Sequence, residues 1–261
     1  MDNYKNNIAL VTGGSSGIGL AYAKHLIANG WYVQIVSKNE ERSHDAMLEL
    51  GSENAKNFLF DLTKEESIKS LYENALKPNL IIACAGIAIN GKAQSYTKAE
   101  KEDSYYLMCG GVIDMIQMYL PHLDKNNGRV VIISSIGAVT PMPKSSIYAS
   151  AKAAIHAYGR SVNKESKNVK VTVSLPGYVR TNAHKRSGLD HLEKKIPNWM
   201  WVSAEQVVIE TEQASKEGLD DVVPGRVYKL TKPFLNSNLA NRIWSKLRSE
   251  EHTSELQSPC N

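Results

Sequence analysis

Short apolar runs recur along the chain at residues 8–12, 32–36, 57–60, 80–83, 130–133 and 169–175, with a final pair at Val222 and Val223. Brief runs rich in Val, Ile and Leu, with little polar alternation, suit strands buried on both faces. The longer segments between them place apolar residues at helical spacing. Leu20, Ala23, Leu26 and Ile27 form one such stripe, stopped by Asn29-Gly30, and residues 65–76, 98–120 and 204–216 form others. Strands that alternate with helices pair in parallel through right-handed crossovers. The pattern therefore predicts an α/β protein, a doubly wound parallel sheet of about seven strands with helices on both faces. No repeat, low-complexity stretch or linker interrupts it, so residues 1–247 read as one domain.

Composition narrows the class. Of 261 residues, 42% are hydrophobic and 22% charged, as in a soluble globular protein with an ample core. The net charge of +4 is spread out, with no Lys/Arg block interleaved with aromatics, which argues against a nucleic-acid partner. Cys84, Cys109 and Cys260 are too scattered for a disulfide framework, and no Cys/His spacing suggests a metal site. The opening MDNYKNN lacks a signal peptide's apolar core, and no segment approaches the ~18 apolar residues of a membrane span. A reducing, cytoplasmic setting is expected.

The first strand runs straight into Gly13-Gly14-Ser15-Ser16-Gly17-Ile18-Gly19 and then into a helix. Such a junction is an anion site: glycine lets the backbone approach a pyrophosphate, and the helix amino terminus adds N–H donors and a positive dipole end. Gly13, Ser15, Ser16, Gly17, Ile18 and Gly19 are therefore candidate dinucleotide contacts. The second strand closes on Ser37-Lys38-Asn39, with no carboxylate to hold a ribose 2′-hydroxyl. Ser37 and Lys38, with Arg42 nearby, suit the 2′-phosphate of NADP better than the bare ribose of NAD. Asp61, followed by Leu62, ends the third strand, where it can accept from an adenine amino group. Cys84-Ala85-Gly86 ends the fourth with small residues that allow close approach of the backbone.

Ser135 stands at the end of the fifth strand. Tyr148 and Lys152 are four apart, so on a helix they share a face. An ammonium beside a phenol lowers its pKa from about 10 by roughly 1 to 3 units, toward the pH where proton transfer is efficient. Ser135, Tyr148 and Lys152 are thus candidate catalytic residues. Spacing alone proves little, because Ser215, Tyr228 and Lys232 repeat it; Ser215, however, lies in a polar helical run and has no strand end to present it.

Taken together and in this order, Thr12 to Gly19, Asp61, Ala83 to Gly86, Ser135, Tyr148 with Lys152, and Pro176-Gly177 resemble the short-chain dehydrogenase/reductase family, over residues from about 5 to 225. The resemblance implies a seven-stranded Rossmann sheet and hydride transfer between a nicotinamide and the carbonyl or alcohol of a small-molecule substrate; a homo-oligomer is expected besides. By it, Ser135 polarises the substrate oxygen, Tyr148 donates the proton during reduction, and Lys152 holds the nicotinamide ribose. Gly177, Val179 and Thr181 would contact the nicotinamide end, and Ala85 and Gly86 are further cofactor contacts. Three positions depart from the family pattern: Ala83-Cys84 replaces the usual Asn-Asn, and Met108 stands where an asparagine is normal. A thioether donates no hydrogen bond and accepts only weakly. A nucleotide-binding scaffold or sensor that keeps the fold without turnover is therefore the alternative to an active enzyme. An epimerase is a further rival, disfavoured by the short segment after Pro176.

Residues 182–202 fall where the family places its substrate lid, and Ile196, Trp199, Met200 and Trp201 would make it apolar. Beyond Pro233, Leu235, Leu239, Ile243 and Leu247 form an apolar stripe beside Arg242, Lys246 and Arg248. The stripe predicts an amphipathic helix packed on the domain or on a partner subunit, with contact to a membrane surface as the alternative. The Val-Val-Pro-Gly segment before it resembles reductases of the family that act on lipid-like ketones. Residues 248–258, RSEEHTSELQS, resemble the conceptual translation of a sequencing adapter, so residues 248–261 are set apart as a non-native tail. The expectation is an NADP(H)-dependent reductase of an apolar or lipid-like ketone, with NAD the less favoured cofactor.

Overall fold

A computed structural model describes residues 7–87, 89, 91–181 and 196–231. Seven strands form one parallel sheet: β1 (Ile8–Thr12), β2 (Tyr32–Ser37), β3 (Ala55–Leu59), β4 (Leu80–Ala83), β5 (Arg129–Ile133), β6 (Lys170–Ser174) and, after a further short pair, β9 (Asp221–Val222). Their order is β3-β2-β1-β4-β5-β6-β9. The order reverses between β1 and β4, so a crevice opens at the carboxyl ends of those strands, where ligands bind in such sheets. The short pair is β7 (Tyr178–Arg180) and β8 (Trp201–Ser203), joined in parallel with Tyr178 opposite Trp201.

Successive side chains of a strand point to opposite faces, and the core divides accordingly. Leu10, Ile81, Val130 and Ile132 pack on one face against Ile68 and Leu71 of α3 (Glu65–Asn74), Met115 and Ile116 of α5 (Gly111–Lys125) and Ile155 of α6 (Ser146–Glu165). Ala9, Val11, Ile82 and Val131 pack on the other against Tyr22 and Leu26 of α1 (Gly17–Ala28), Leu50 of α2 (Glu40–Leu50) and Val208 of α7 (Ala204–Glu217). Each fully buried Leu, Ile or Val contributes about 1.5 to 3 kcal/mol from area removed from water. One buried polar residue, Gln34 in β2, is satisfied reciprocally: its amide donates to the Leu76 carbonyl (2.9 Å) and accepts from the Leu76 N–H (2.7 Å).

The architecture predicted from the hydrophobic pattern is present, with local differences. The third strand lies at Ala55–Leu59 instead of residues 57–60, and α2 was not foreseen. The stretch at 98–120 is not one helix. It divides into α4 (Lys98–Tyr105), a π-helical turn (Tyr106–Gly110) and α5. Thr97 and Glu100 form a reciprocal capping box that fixes the start of α4. A further short helix, α8, spans Arg226–Thr231. The predicted amphipathic helix after Pro233, the tail at 248–261, Lys232 and most of the loop after Thr181 lie outside the described residues. Among those described, no helix is long and apolar enough to cross a membrane.

Candidate active site

A cleft of about 630 Å³ lies at the carboxyl ends of β1, β2, β4, β5 and β6. It is lined by Gly13, Ser15, Ser16, Gly17 and Ile18, by Ser37, Lys38, Asp61 and Leu62, by Ala85 and Gly86, by Ser135, Tyr148 and Lys152, and by Gly177, Val179 and Thr181. Of the candidate site residues only Gly19 stands back from it. A Cβ on Gly19 would lie 2.3 Å from the Gly13 carbonyl oxygen, so this glycine packs α1 onto the turn. Gly13 sits at φ +68°, and a Cβ there would come within 3.0 Å of the Ala85 Cα. The turn therefore lies against the end of β4. Thr12 secures that junction by accepting from the N–H groups of Cys84 (3.0 Å) and Ala85 (3.1 Å).

At the end formed by β2 and β3, Ser15 Oγ donates to Ser37 Oγ (2.8 Å), which also accepts from the Asn39 N–H (3.3 Å). Lys38 Nζ is 3.6 Å from a carboxylate oxygen of Asp61, and both side chains are exposed. Burial raises the Asp61 pKa, but the hydrogen bonds from Thr63 and the Lys38 charge outweigh it and hold the carboxyl below its ordinary value. Lys38 and Asp61, read from the sequence as separate contacts, are thus one ion pair spanning two strand ends.

At the other end, β5 delivers Ser135 and α6 delivers Tyr148 and Lys152. Ser135 Oγ accepts from the Gly137 N–H (3.1 Å), so its own proton can turn toward the cleft. Tyr148 lies in the first turn of α6, and Lys152 one turn later is 6% exposed. Lys152 Nζ donates to the Ile133 carbonyl (2.8 Å) and stands 5.8 Å from the centre of the Tyr148 ring. Burial pushes the ammonium's pKa down to about 8. Met108, on the π turn, is 1% exposed, and its thioether borders the same small space over Gly86 as Lys152 Nζ. The Cys84 thiol is buried, which drives its pKa up to about 11.

Sequence reasoning did not identify Ile133 as the acceptor that fixes the Lys152 amine, nor Phe60, Leu107 and Ser134, which also line the cleft. Position at a strand end was the available signal for Phe60, Ile133 and Ser134. The repeated spacing at Ser215 and Tyr228 does not form a second site. Ser215 Oγ accepts from Arg129, while the Tyr228 hydroxyl donates to the Met200 carbonyl.

Comparison with known proteins agrees with this geometry. A family profile described as short chain dehydrogenase matches residues 7–191. The chain belongs to the short-chain dehydrogenase family. It is 31% identical to an uncharacterized oxidoreductase of Staphylococcus epidermidis over 75% of this chain and 86% of that protein. It is also 31% identical to an NADPH-dependent 1-acyldihydroxyacetone phosphate reductase of Saccharomyces cerevisiae, over 71% of this chain and 66% of that one. Among solved structures, a short-chain dehydrogenase from Sphingobium yanoikuyae in complex with NADPH superposes with a TM-score of 0.76 at 20% identity, covering 98% of both chains. One from Burkholderia phymatum in complex with NAD superposes at 0.80 with 16% identity, covering 93% of this chain and 97% of that one.

As a short-chain dehydrogenase, the protein is an NAD(P)-dependent oxidoreductase, and the residues present fit that cofactor class. The cleft has the volume of a small-molecule site. Its glycine turn has no Cβ to obstruct a pyrophosphate, and α1 directs its amino terminus at that turn.

Proposed function

We propose that the protein is an NADP(H)-preferring carbonyl reductase acting on an apolar or lipid-like ketone, with Ser135, Tyr148 and Lys152 as catalytic residues. The observation that carries this reading is the buried Lys152 ammonium 5.8 Å from the Tyr148 ring, in the same cleft as Ser135. A bound nicotinamide dinucleotide supplies the hydride. The chain's own groups handle the oxygen and the proton: Ser135 Oγ–H donates to the carbonyl oxygen, and Tyr148 donates the proton that makes it a hydroxyl. Lys152 favours the phenolate left behind, because a positive charge nearby stabilises the anion. The Ile133 carbonyl keeps that amine directed at the cleft.

NADP preference is supported by Lys38 beside Ser37 at the cleft edge, and the similar yeast protein is named as NADPH-dependent. The Lys38 to Asp61 contact holds the ammonium in place while leaving it exposed to a 2′-phosphate. An apolar substrate is supported by Ile196 and Met200, which cluster with Val179 next to the cleft, and by the acyl-bearing substrate in the yeast relative's name. A cytoplasmic, reducing setting fits the free thiols Cys84 and Cys109.

The test is steady oxidation of NADPH with a panel of long-chain and aromatic ketones, compared with NADH. Turnover with tighter use of NADPH supports the reading. Tighter use of NADH overturns the cofactor preference. Cofactor binding without turnover of any ketone favours the scaffold reading that Met108 raises.

A further inference from the structure

We infer that Tyr228 is a positioning residue for the nicotinamide end of the cleft: its buried phenol clasps the chain at Gly177 and Tyr178 to the chain at Met200. The inference rests on the proposal above that hydride transfer takes place at Ser135 and Tyr148, beside which Gly177 lies because Pro176 accepts from the Ile136 N–H (3.0 Å). Tyr228 lies on α8 and is 2% exposed. Its ring occupies the space a side chain on Gly177 would need, since a Cβ there would lie 2.1 Å from the ring. Gly177 is required here by that contact. The Tyr228 hydroxyl accepts from the Tyr178 N–H (3.1 Å) and donates to the Met200 carbonyl (2.7 Å). Tyr178 begins β7 and Trp201, just after Met200, begins β8, so one hydroxyl joins the two strands where their pairing starts.

The clasp acts on the cleft because Gly177 and Val179, on either side of Tyr178, line it. It is anchored from behind. Glu210 of α7 accepts from the Gly225 N–H (3.2 Å) and pairs with Lys229 (2.8 Å), which fixes both ends of the turn that carries Tyr228. Gly225 sits at φ +91°, with room for no Cβ because Val202 of β8 would be 2.8 Å from it. Burial raises the phenol's pKa to about 12, so it stays protonated and keeps donating at ordinary pH. A residue needed only to fill space would carry no hydroxyl. Tyrosine in this place satisfies two backbone groups that flank the cleft wall, one buried and one partly buried. The second Tyr-x-x-x-Lys spacing in the chain thus contributes a tyrosine that holds the site's wall while Tyr148 faces its interior.

The test is calorimetric titration of Tyr228→Phe, which keeps the ring and removes the bridge. The probes are whichever of NADPH and NADH the wild type binds more tightly, and the matching adenosine half, 2′,5′-ADP or ADP. The expected result is a split: the dinucleotide binds about tenfold more weakly, within the scale of the two hydrogen bonds lost with the hydroxyl, while the adenosine half binds within about twofold of wild type. Equal weakening of both probes would mean that Tyr228 serves only general stability, and no weakening would mean that it does not shape the cleft; either overturns the inference. If Tyr228→Phe does not fold, Glu210→Ala, remote from the cleft, decides by the same split. Because the readout is binding, the split can appear in a protein that turns over no ketone. That outcome would overturn the proposed activity and leave the clasp standing.

Discussion

Replacing Lys152 with methionine should make the cofactor-free protein more stable at neutral pH while removing its activity. The native ammonium is buried and its pKa is pushed from an ordinary 10.5 to about 8 by desolvation. That displacement corresponds to about 3 kcal/mol of cost for holding the charged form in the folded state. Below pH 8 the amine is protonated in both folded and unfolded chains, so the full cost is present. Between pH 8 and 10.5 the unfolded chain keeps a proton that the native chain has released, so wild-type stability rises with pH across that window. Methionine has similar length and no charge, but it leaves the Ile133 carbonyl without the Lys152 donor, at about 1 kcal/mol. The net gain at pH 7 is about 2 kcal/mol, or about 6 °C in Tm for a chain of this size. Calorimetric melting of both proteins at pH 7 and pH 10.5 reads it, and the methionine advantage should be gone at the higher pH. A variant less stable than wild type at pH 7, or a difference that does not change with pH, would refute the reasoning.

Two further predictions bear on the proposed chemistry. Lys38→Ala should weaken NADPH binding by about tenfold or more and leave NADH within about twofold, because only the 2′-phosphate loses a charged partner; equal losses for the two cofactors in a titration would contradict the assignment. Met108→Asn should leave turnover within about tenfold of wild type, since a backbone carbonyl on the π turn can serve where a side-chain amide is absent. An increase of about a hundredfold, nearly 3 kcal/mol of barrier, would instead mean that the thioether cripples the wild-type site.

Most of the sheet was legible because its strands are buried on both faces and so read as unbroken apolar runs. β3 was misplaced for the opposite reason. It is an edge strand, its Lys56 and Leu59 are exposed, and the run is too mixed to mark its start. The helix α2 was missed because only Ser43, Ala46 and Leu50 of a mostly polar segment are buried. The π turn at Tyr106–Gly110 leaves the apolar pattern intact while changing the hydrogen bonding, so no sequence pattern distinguishes it from the flanking helix. The strands β7 and β8 have three residues each, too few for any period.

At the site, residues at strand ends and in the first two turns of α6 line one cleft. What the sequence did not disclose was pairing across space. Lys38 and Asp61 come from neighbouring strands, and their ion pair depends on the β2–β3 register. The Lys152 amine is held by a backbone carbonyl, which every residue carries and no motif marks. Tyr228 looked like a chance repeat because its role lies in contacts with Gly177, Tyr178 and Met200, all distant in sequence.

The most direct measurement is the turnover of Tyr148→Phe with NADPH and the best ketone from the panel, alongside its affinity for NADPH. A phenol that donates the proton contributes on the order of 10² to 10⁴ in rate, so kcat should fall by at least about a hundredfold while NADPH binds within about threefold of wild type. A variant that keeps wild-type kcat would contradict the assignment of Tyr148 as the acid.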